Sequence, residues 1–340
     1  MGYLEKAWYF AGWSEDVKVG EVKELVVCER ELAVCRTESG AAMVVGDRCP
    51  HRFAPLHLGK VRGETIECPY HGMRFGPDGR CSHNPHGGIS SALSTPSYAV
   101  IERDGCIWFW LSLTTAPDPA LVPDMTWLSD VPATAVGRLP TLHVKADYKL
   151  FIDNLFDPVH ADYIHASTVG GSGLFNTVRP EVRTDGYKVE ATWDFGTTEV
   201  LPVHRKRLAE HEQVETLFGS TLWAPTVVLV WSVIKPAGSR WEDGIRAGTY
   251  HILTPAKAGM TTYDVANVRS YDLDDVEQTR ATAELTGIAF SQEDKPMMEA
   301  MHKVIGANEF WDLKPALQPI DQACSKARRS LDMLIEKEAA

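Results

Sequence analysis

Between residues 20 and 48 short apolar runs alternate with turn-forming clusters. Val22–Cys28, Leu32–Arg36 and Ala41–Val45 read as strands, separated by Glu29-Arg30-Glu31 and Glu38-Ser39-Gly40. Gly76-Pro77-Asp78-Gly79 is a strong turn signal, and Cys106–Leu111, after the Asp104-Gly105 turn, reads as a buried strand. Residues 1–115 are therefore expected to form a small all-β domain. Prolines crowd the next stretch, in Ala116-Pro117-Asp118-Pro119 and Val122-Pro123-Asp124, and 116–139 reads as an extended linker. From 140 to 340 the pattern changes. A helical segment near 147–166 precedes strand-like runs near 187–194, 225–234, 246–254 and 261–268. Helical stretches follow near 275–303 and 318–338. The expected class is α+β: an all-β N-terminal domain, then a domain with an antiparallel sheet flanked by helices.

A chain of 340 residues accommodates about two such domains. With 44% hydrophobic and 24% charged residues the composition is that of a globular protein. The formal net charge of −12, with no Lys/Arg run, argues against nucleic-acid binding. No N-terminal signal pattern and no long apolar run is present, so a cytoplasmic, non-membrane protein is expected. Seven unevenly spaced Cys do not make a disulfide framework; in a reducing compartment, clustered Cys and His point to metal or catalysis.

Such clusters occur twice. The first is Cys49-Pro50-His51, sixteen intervening residues, then Cys68-Pro69-Tyr70-His71. Each half offers one thiolate and one imidazole on a tight loop. Two such loops can clamp a dinuclear iron–sulfur cluster, the Cys pair on one iron and the His pair on the other, with a potential above that of all-Cys clusters. A structural Cys₂His₂ zinc site is the alternative, but zinc fingers usually pair like with like, and here each half is mixed. Cys49-Pro50-His51-Arg52 and Cys68-Pro69-Tyr70-His71-Gly72 resemble the Rieske motif of ring-hydroxylating and O-demethylating oxygenases. His57, His83, His86, Cys28, Cys35, Cys81, Cys106 and Cys324 fall outside it and read as packing or loop residues.

The second cluster runs from Asp153-Asn154 through Asp157 to His160 and His165. Asp157 and His160, at i and i+3, can share a helix face. His165 lies five residues beyond His160, so a helix must distort or end for both to reach one metal. A solvated acidic helix is the plain alternative. The segment resembles the Asn-x-x-Asp-x-x-His-x₄-His motif of the same oxygenases. The resemblance implies that His160 and His165, with one carboxylate, bind a mononuclear Fe(II) in a facial triad with open positions for dioxygen. It also implies that Asp157 is a bridging acid and Asn154 a neighbour of the iron. For the third ligand, Asp294 shares an apolar stripe with Phe290, Met297, Met298 and Met301, whereas Glu299 lies beside Lys295, His302 and Lys303. A carboxylate on such a stripe is costly to bury unless it is paired or metal-bound. Asp294 is the choice and Glu293 the alternative, with Pro296 awkward in that helix.

The opening Ala7-Trp8-Tyr9, His51–Leu56, Tyr148-Lys149-Leu150 and Gly248–Pro255 resemble one branch, that of the vanillate O-demethylase and dicamba monooxygenase oxygenase components. His251 matches a His facing the substrate pocket in the dicamba-acting relative; Val227–Trp231 is apolar where polar contacts would be expected. Trp223, Trp231 and Phe290 are candidate walls of an aromatic pocket. The resemblance implies a terminal oxygenase with a [2Fe-2S] cluster and a mononuclear iron, and a head-to-tail homotrimer. In that ring Asp157 would join its own His160 to His71 of the next subunit. The implied reaction is O-demethylation of an aromatic methyl ether carboxylate with O2, releasing formaldehyde. Ring or methyl hydroxylation, N-demethylation and a non-catalytic electron carrier are the alternatives. No Gly-x-Gly-x-x-Gly or plant-type ferredoxin loop is present, so electrons are expected from a separate NAD(P)H-dependent reductase or ferredoxin.

Overall fold

The computed structural model describes residues 2–166, 168, 173–200, 208, 210 and 213–339. Its contacts divide into two units, one built mainly from Gly2–Asp124 with Thr254–Ala258, the other from Met125–Leu253 with Gly259–Lys337.

The first unit is made of short antiparallel strands in three small sheets. Trp8–Trp13, Cys106–Trp110 and Val100–Arg103 form one. All five residues of Cys106–Trp110 are buried. Cross-strand aromatic pairs hold this sheet: Trp8 stands edge-on to Trp110 at 5.5 Å and Phe10 to Trp108 at 5.7 Å. Val22–Val27, Arg30–Arg36, Ala42–Gly46 and Ser97–Tyr98 form the second sheet; Lys60–Arg62, Thr65–Glu67, Arg74–Phe75 and Cys81–His83 form the third. The strands expected near 22–45 and 106–111 are present. Those of the third sheet are two or three residues long, too short for a period of two to show in the sequence. A core of Ala33, Val45, Leu56, Ile66 and Phe75 surrounds Cys49 and Cys68 and fixes the loops that carry them.

The second unit is built on an eight-stranded sheet. Its order is Val136–Arg138, Met260–Arg269, Ile245–Lys257, Val227–Pro236, Gln213–Trp223, Lys188–Glu199 and Glu181–Asp185, with Leu142–Val144 also paired to Met260–Arg269. Val136–Arg138 lies in the stretch the prolines marked as a linker. Gln213–Trp223 escaped the sequence reading because Gly219 interrupts its pattern. A Cβ there would lie 2.3 Å from the Trp231 ring, so only glycine lets the indole cross the strand.

The helix Tyr148–Leu155 starts on Asp147, whose carboxylate accepts from Lys149 N at 2.9 Å, and buries Phe151, Ile152 and Leu155. At its far end Ser220 Oγ donates to Leu155 O at 2.6 Å. Asp153 receives a forked pair of bonds from Arg328 of the C-terminal helix Gln322–Ala339, Nε to Oδ1 at 2.9 Å and Nη2 to Oδ2 at 2.6 Å. The helical stretch expected over 275–303 is Val276–Ile288 and Lys295–Ile305, joined by a π-helical turn at Ala289–Asp294. The wider turn immediately precedes Pro296, which has no N–H to give a regular helix.

Candidate metal centres

The two Cys/His loops are the same turn built twice. Cys49 N donates to Ala54 O and Phe53 N to Cys49 O; Cys68 N donates to Met73 O and Gly72 N to Cys68 O. The fourth residue after each Cys is left-handed, Phe53 at φ +62 and Gly72 at φ +72. Both cysteines are buried, and burial pushes the Cys49 thiol up to about 11. The His51 and His71 rings lie 4.6 Å apart between centroids. His86 Nε2 is 3.0 Å from the His71 carbonyl oxygen, so this His braces a loop the sequence reading did not connect it to. His57 pairs with Asp47 at 2.5 Å, a packing role. Two buried sulfurs and two neighbouring imidazoles on twin loops suit a cluster with mixed ligands.

In the second unit, His160 ends a 3-10 turn at Pro158–His160 and His165 follows the one-turn helix Ala161–Ile164. This break brings residues five apart to one point, with ring centroids 5.2 Å apart. Asp294 reaches the same point from the π turn. One ligand atom of each of His160, His165 and Asp294 lies within 4.8 Å of the others. Asp294 is fully buried, and its Oδ1 accepts from Asn154 Nδ2 at 3.0 Å. Its Oδ2 is 3.2 Å from His165 Nε2, yet makes no well-aligned hydrogen bond among the described residues. A buried carboxylate with an uncommitted oxygen between two imidazole nitrogens is a site for a cation.

The outer nitrogens are spoken for. His165 Nδ1 is 2.7 Å from Glu293 Oε2, which also accepts from Thr168 Oγ1 at 2.6 Å. His160 Nδ1 meets the backbone carbonyl of Asp157. Both rings therefore turn Nε2 toward Asp294, the arrangement in which a ligating imidazole is oriented from behind. Burial works against a charged His165, but Asp294 and then Glu293 outweigh it and raise its pKa. Glu293, the alternative third ligand, stands behind His165 instead of beside Asp294. Asp157 also differs from expectation. Its carboxylate caps the 3-10 turn through Val159 N at 3.0 Å, and its carbonyl, not its side chain, meets His160. Burial raises the Asp157 carboxyl.

The residues over which these centres lie match two families. Residues 7–96 match the Rieske [2Fe-2S] domain, and residues 144–337 match the vanillate O-demethylase oxygenase C-terminal domain. The chain belongs to the Rieske oxygenases. It is 37% identical to the oxygenase component of chloroacetanilide N-alkylformylase from Rhizorhabdus wittichii, across 99% of this chain and 97% of that one. It is 30% identical, across the whole of both, to the oxygenase component of dicamba O-demethylase from Stenotrophomonas maltophilia. The crystal structure of dicamba monooxygenase bound to dicamba superposes with a TM-score of 0.88 at 28% identity, covering 100% of this chain and 99% of that one. This Rieske oxygenase thus combines a [2Fe-2S] domain and an oxygenase domain, and is an oxidoreductase.

The Asp294 cluster opens on a cavity of ≈ 240 Å³ walled by Phe175, Phe218, Val230, Ala289 and Phe290, with Asn154 and His251 as polar members. No Lys or Arg lines it among the described residues. His251 is 1% exposed, and its Nδ1 lies 2.6 Å from Tyr263 Oη. Burial pushes His251 down to about 3, so the ring is neutral, and burial keeps the Tyr263 phenol protonated. With Tyr263 donating, the imidazole proton sits on Nε2. Of the aromatics singled out in the sequence, Phe290 lines this cavity. Trp223 and Trp231 do not; the Trp231 indole lies over Gly219 and donates to Thr221 Oγ1 at 3.1 Å. No helix among the described residues is long and apolar enough to cross a membrane.

Proposed function

We propose that this oxygenase removes an alkyl carbon from a heteroatom on an aromatic substrate. Cys49, His51, Cys68 and His71 would hold the [2Fe-2S] cluster, and His160, His165 and Asp294 a mononuclear Fe(II). An iron held there would, with dioxygen, two electrons and two protons, supply the oxidant for inserting one oxygen atom into a C–H bond, the other leaving as water. This chain's residues do the rest. Glu293 and the Asp157 carbonyl orient the imidazoles, Asn154 steadies Asp294, and Phe175, Phe218 and Phe290 exclude water and flank an aromatic ring. His251 Nε2–H offers one hydrogen bond to a substrate acceptor. Hydroxylation of an O-methyl carbon gives a hemiacetal, which collapses to a phenol and formaldehyde.

The observation that carries this reading is the His160/His165/Asp294 cluster opening on an aromatic cavity with no Lys or Arg among its described lining residues. The ring carboxylate expected from the resemblance is the one part that finds no support there. Burying it would cost several kcal/mol without a cationic partner. Uncharged aryl ethers fit better. N-dealkylation, through a hemiaminal, is a second reading, favoured by the 37% identity to an N-alkylformylase component. Electrons would come from a separate NAD(P)H-dependent reductase or ferredoxin. Asp157, whose carbonyl meets His160 Nδ1, would turn its carboxylate to His71 of a neighbouring subunit in a head-to-tail trimer.

The test is aldehyde release by the iron-loaded enzyme with a generic NADH-driven reductase. The panel holds methoxybenzoates, their methyl esters and N-alkyl anilides. Aldehyde that depends on substrate and O2, with esters preferred over acids, is expected. NADH oxidation with hydroxylated, undealkylated products would sink the dealkylation reading.

A further inference from the structure

The cavity beside the metal cluster is not isolated. A second one, of ≈ 270 Å³, lies farther along the same sheet, and Phe218, Val230, Thr249 and Thr286 line both. The register explains why. Val228 pairs with His251, Val230 with Thr249 and Ser232 with Ala247, three successive cross-strand rows two residues apart. Side chains two apart on a strand share a face. His251 therefore belongs to the inner cavity, Val230 and Thr249 to the boundary, and Ser232 and Ala247 to the outer cavity. The helix Val276–Ile288 roofs the same trough. Thr279, Thr282 and Thr286 face the outer cavity, and Thr286, Ala289 and Phe290 the inner one. From Ala247 to His251 the trough runs about 14 Å, at roughly 3.4 Å per residue.

At the boundary two apolar side chains, Phe218 and Val230, stand with a row of small polar ones. Thr249 Oγ1 donates to Asn267 Oδ1 at 2.9 Å, and Asn267 Nδ2 to Thr286 Oγ1 at 3.2 Å. The outer cavity is floored by Ala247 and Ser232 and roofed by threonines whose hydroxyls can hydrogen-bond a polar group; Trp231, Val268 and Tyr271 also line it. Arg269, 6% exposed, is the one charged residue among the described ones that line it; its Nη2 donates to the Asp272 and Asp275 carbonyls at 2.8 and 2.7 Å, while its Nε makes no hydrogen bond to a described residue. Each cavity alone is smaller than a usual ligand pocket of about 300–1,000 Å³, and the two joined fall within that range.

We propose that the two cavities form one elongated substrate site, with the reacting alkyl group beside His160, His165 and Asp294 and the remainder of an uncharged, two-part molecule lying past the Thr249–Asn267–Thr286 row. This rests on the inner cavity being the substrate pocket. It adds that Ala247, Ser232 and the threonine row set the length of substrate accepted. The matching class is a neutral aryl ether or anilide bearing a second ring or a chain with a carbonyl or ether oxygen.

The test compares 4-methoxytoluene with 4-methoxybiphenyl by equilibrium dialysis against the iron-loaded holoenzyme. The wild type is expected to bind the two-ring compound about tenfold more tightly or better, since the second ring buries further apolar surface. Ala247→Phe, which fills the outer cavity, should erase that advantage while changing one-ring binding by less than about threefold. Ser232→Phe, entering from the neighbouring strand, should reproduce the split; it also serves if Ala247→Phe fails to fold. Equal wild-type affinity for the two compounds, or equal losses for both in the variants, would overturn the proposal. Binding needs no turnover. A retained split with no formaldehyde from either compound would count against dealkylation and leave the elongated site standing.

Discussion

Glu293 is the residue whose replacement tests the mononuclear site most sharply. Its Oε2 sits 2.7 Å from His165 Nδ1, in a side chain 17% exposed, and is held in turn by Thr168 Oγ1. When His165 Nε2 ligates a metal, Nδ1 carries the proton, and a carboxylate acceptor makes a charge-assisted bond. Such a bond contributes roughly 1.5–3 kcal/mol, about twice a neutral one. Glu293→Gln keeps an oxygen acceptor and loses the charge, which should weaken the site by about 1.4 kcal/mol, or tenfold in metal affinity. Glu293→Ala should reach about a hundredfold. Anaerobic Fe(II) titration of the iron-stripped second site, in competition with a chelator, reads this directly. Asp294→Asn is the reference, with Fe(II) binding lost. If Glu293→Gln and Glu293→Ala both bind Fe(II) within about twofold of wild type, Glu293 does not orient His165 and the reasoning fails. If either loses metal as completely as Asp294→Asn, Glu293 is a ligand.

Asp157→Asn should retain both the cluster spectrum and stoichiometric Fe(II) while turnover disappears. Normal turnover with both metals present refutes its place between the two centres. His251 has a pKa held down to about 3 against an ordinary 6.5, so it stays neutral in the fold while the unfolded chain takes up a proton below 6.5. Its contribution is complete above that pH and is lost as pH falls toward 3, amounting to about 2 kcal/mol by pH 5. Urea midpoints of wild type and His251→Gln at pH 7.5 and 5.0 should show the extra loss only in wild type, and parallel curves would refute it. Gly219→Ala drives a Cβ to within 2.3 Å of an indole pinned by Thr221, and should cost about 2–3 kcal/mol by thermal or urea unfolding.

The chemistry was easier to read in the sequence than the geometry that supports it. Cys49, His51, Cys68 and His71 stand in two short segments, because a tight loop must supply its ligands within a few residues. The structure builds both loops as one turn, but the left-handed Phe53 was not legible, since only glycine advertises that conformation. The spacing of His160 and His165 announced a broken helix, and the 3-10 turn and the one-turn helix are that break. The apolar stripe picked out Asp294 by assuming one continuous helical register. The π turn at Ala289–Asp294 changes the register at that point, so Glu293 also turns inward, to His165 Nδ1. Both acids therefore stand at the cluster, Asp294 beside the two imidazoles and Glu293 behind His165. The threonine row was invisible for a different reason. Thr249, Asn267 and Thr286 come from two strands and a helix and meet only through cross-strand register.

The same pair of acids bears on what the cavity accepts. A divalent iron, if held by His160, His165 and Asp294, would keep one excess positive charge, which Glu293, hydrogen-bonded behind His165, would offset. Around this balanced centre the described lining residues are neutral: His251 is uncharged, Asn154 is bonded to Asp294, and Thr249 and Thr286 are bonded to Asn267. A substrate carboxylate would thus meet no cationic side chain among the described lining residues, whereas an ether or amide oxygen needs only a donor such as His251 Nε2–H. Aromatic walls supply affinity without charge, and the single imidazole donor supplies orientation. The balance of charge at the metal and the lack of Lys or Arg among the described residues of the inner cavity point to the same substrates, although they arise from different elements, the π turn in one case and the sheet face in the other.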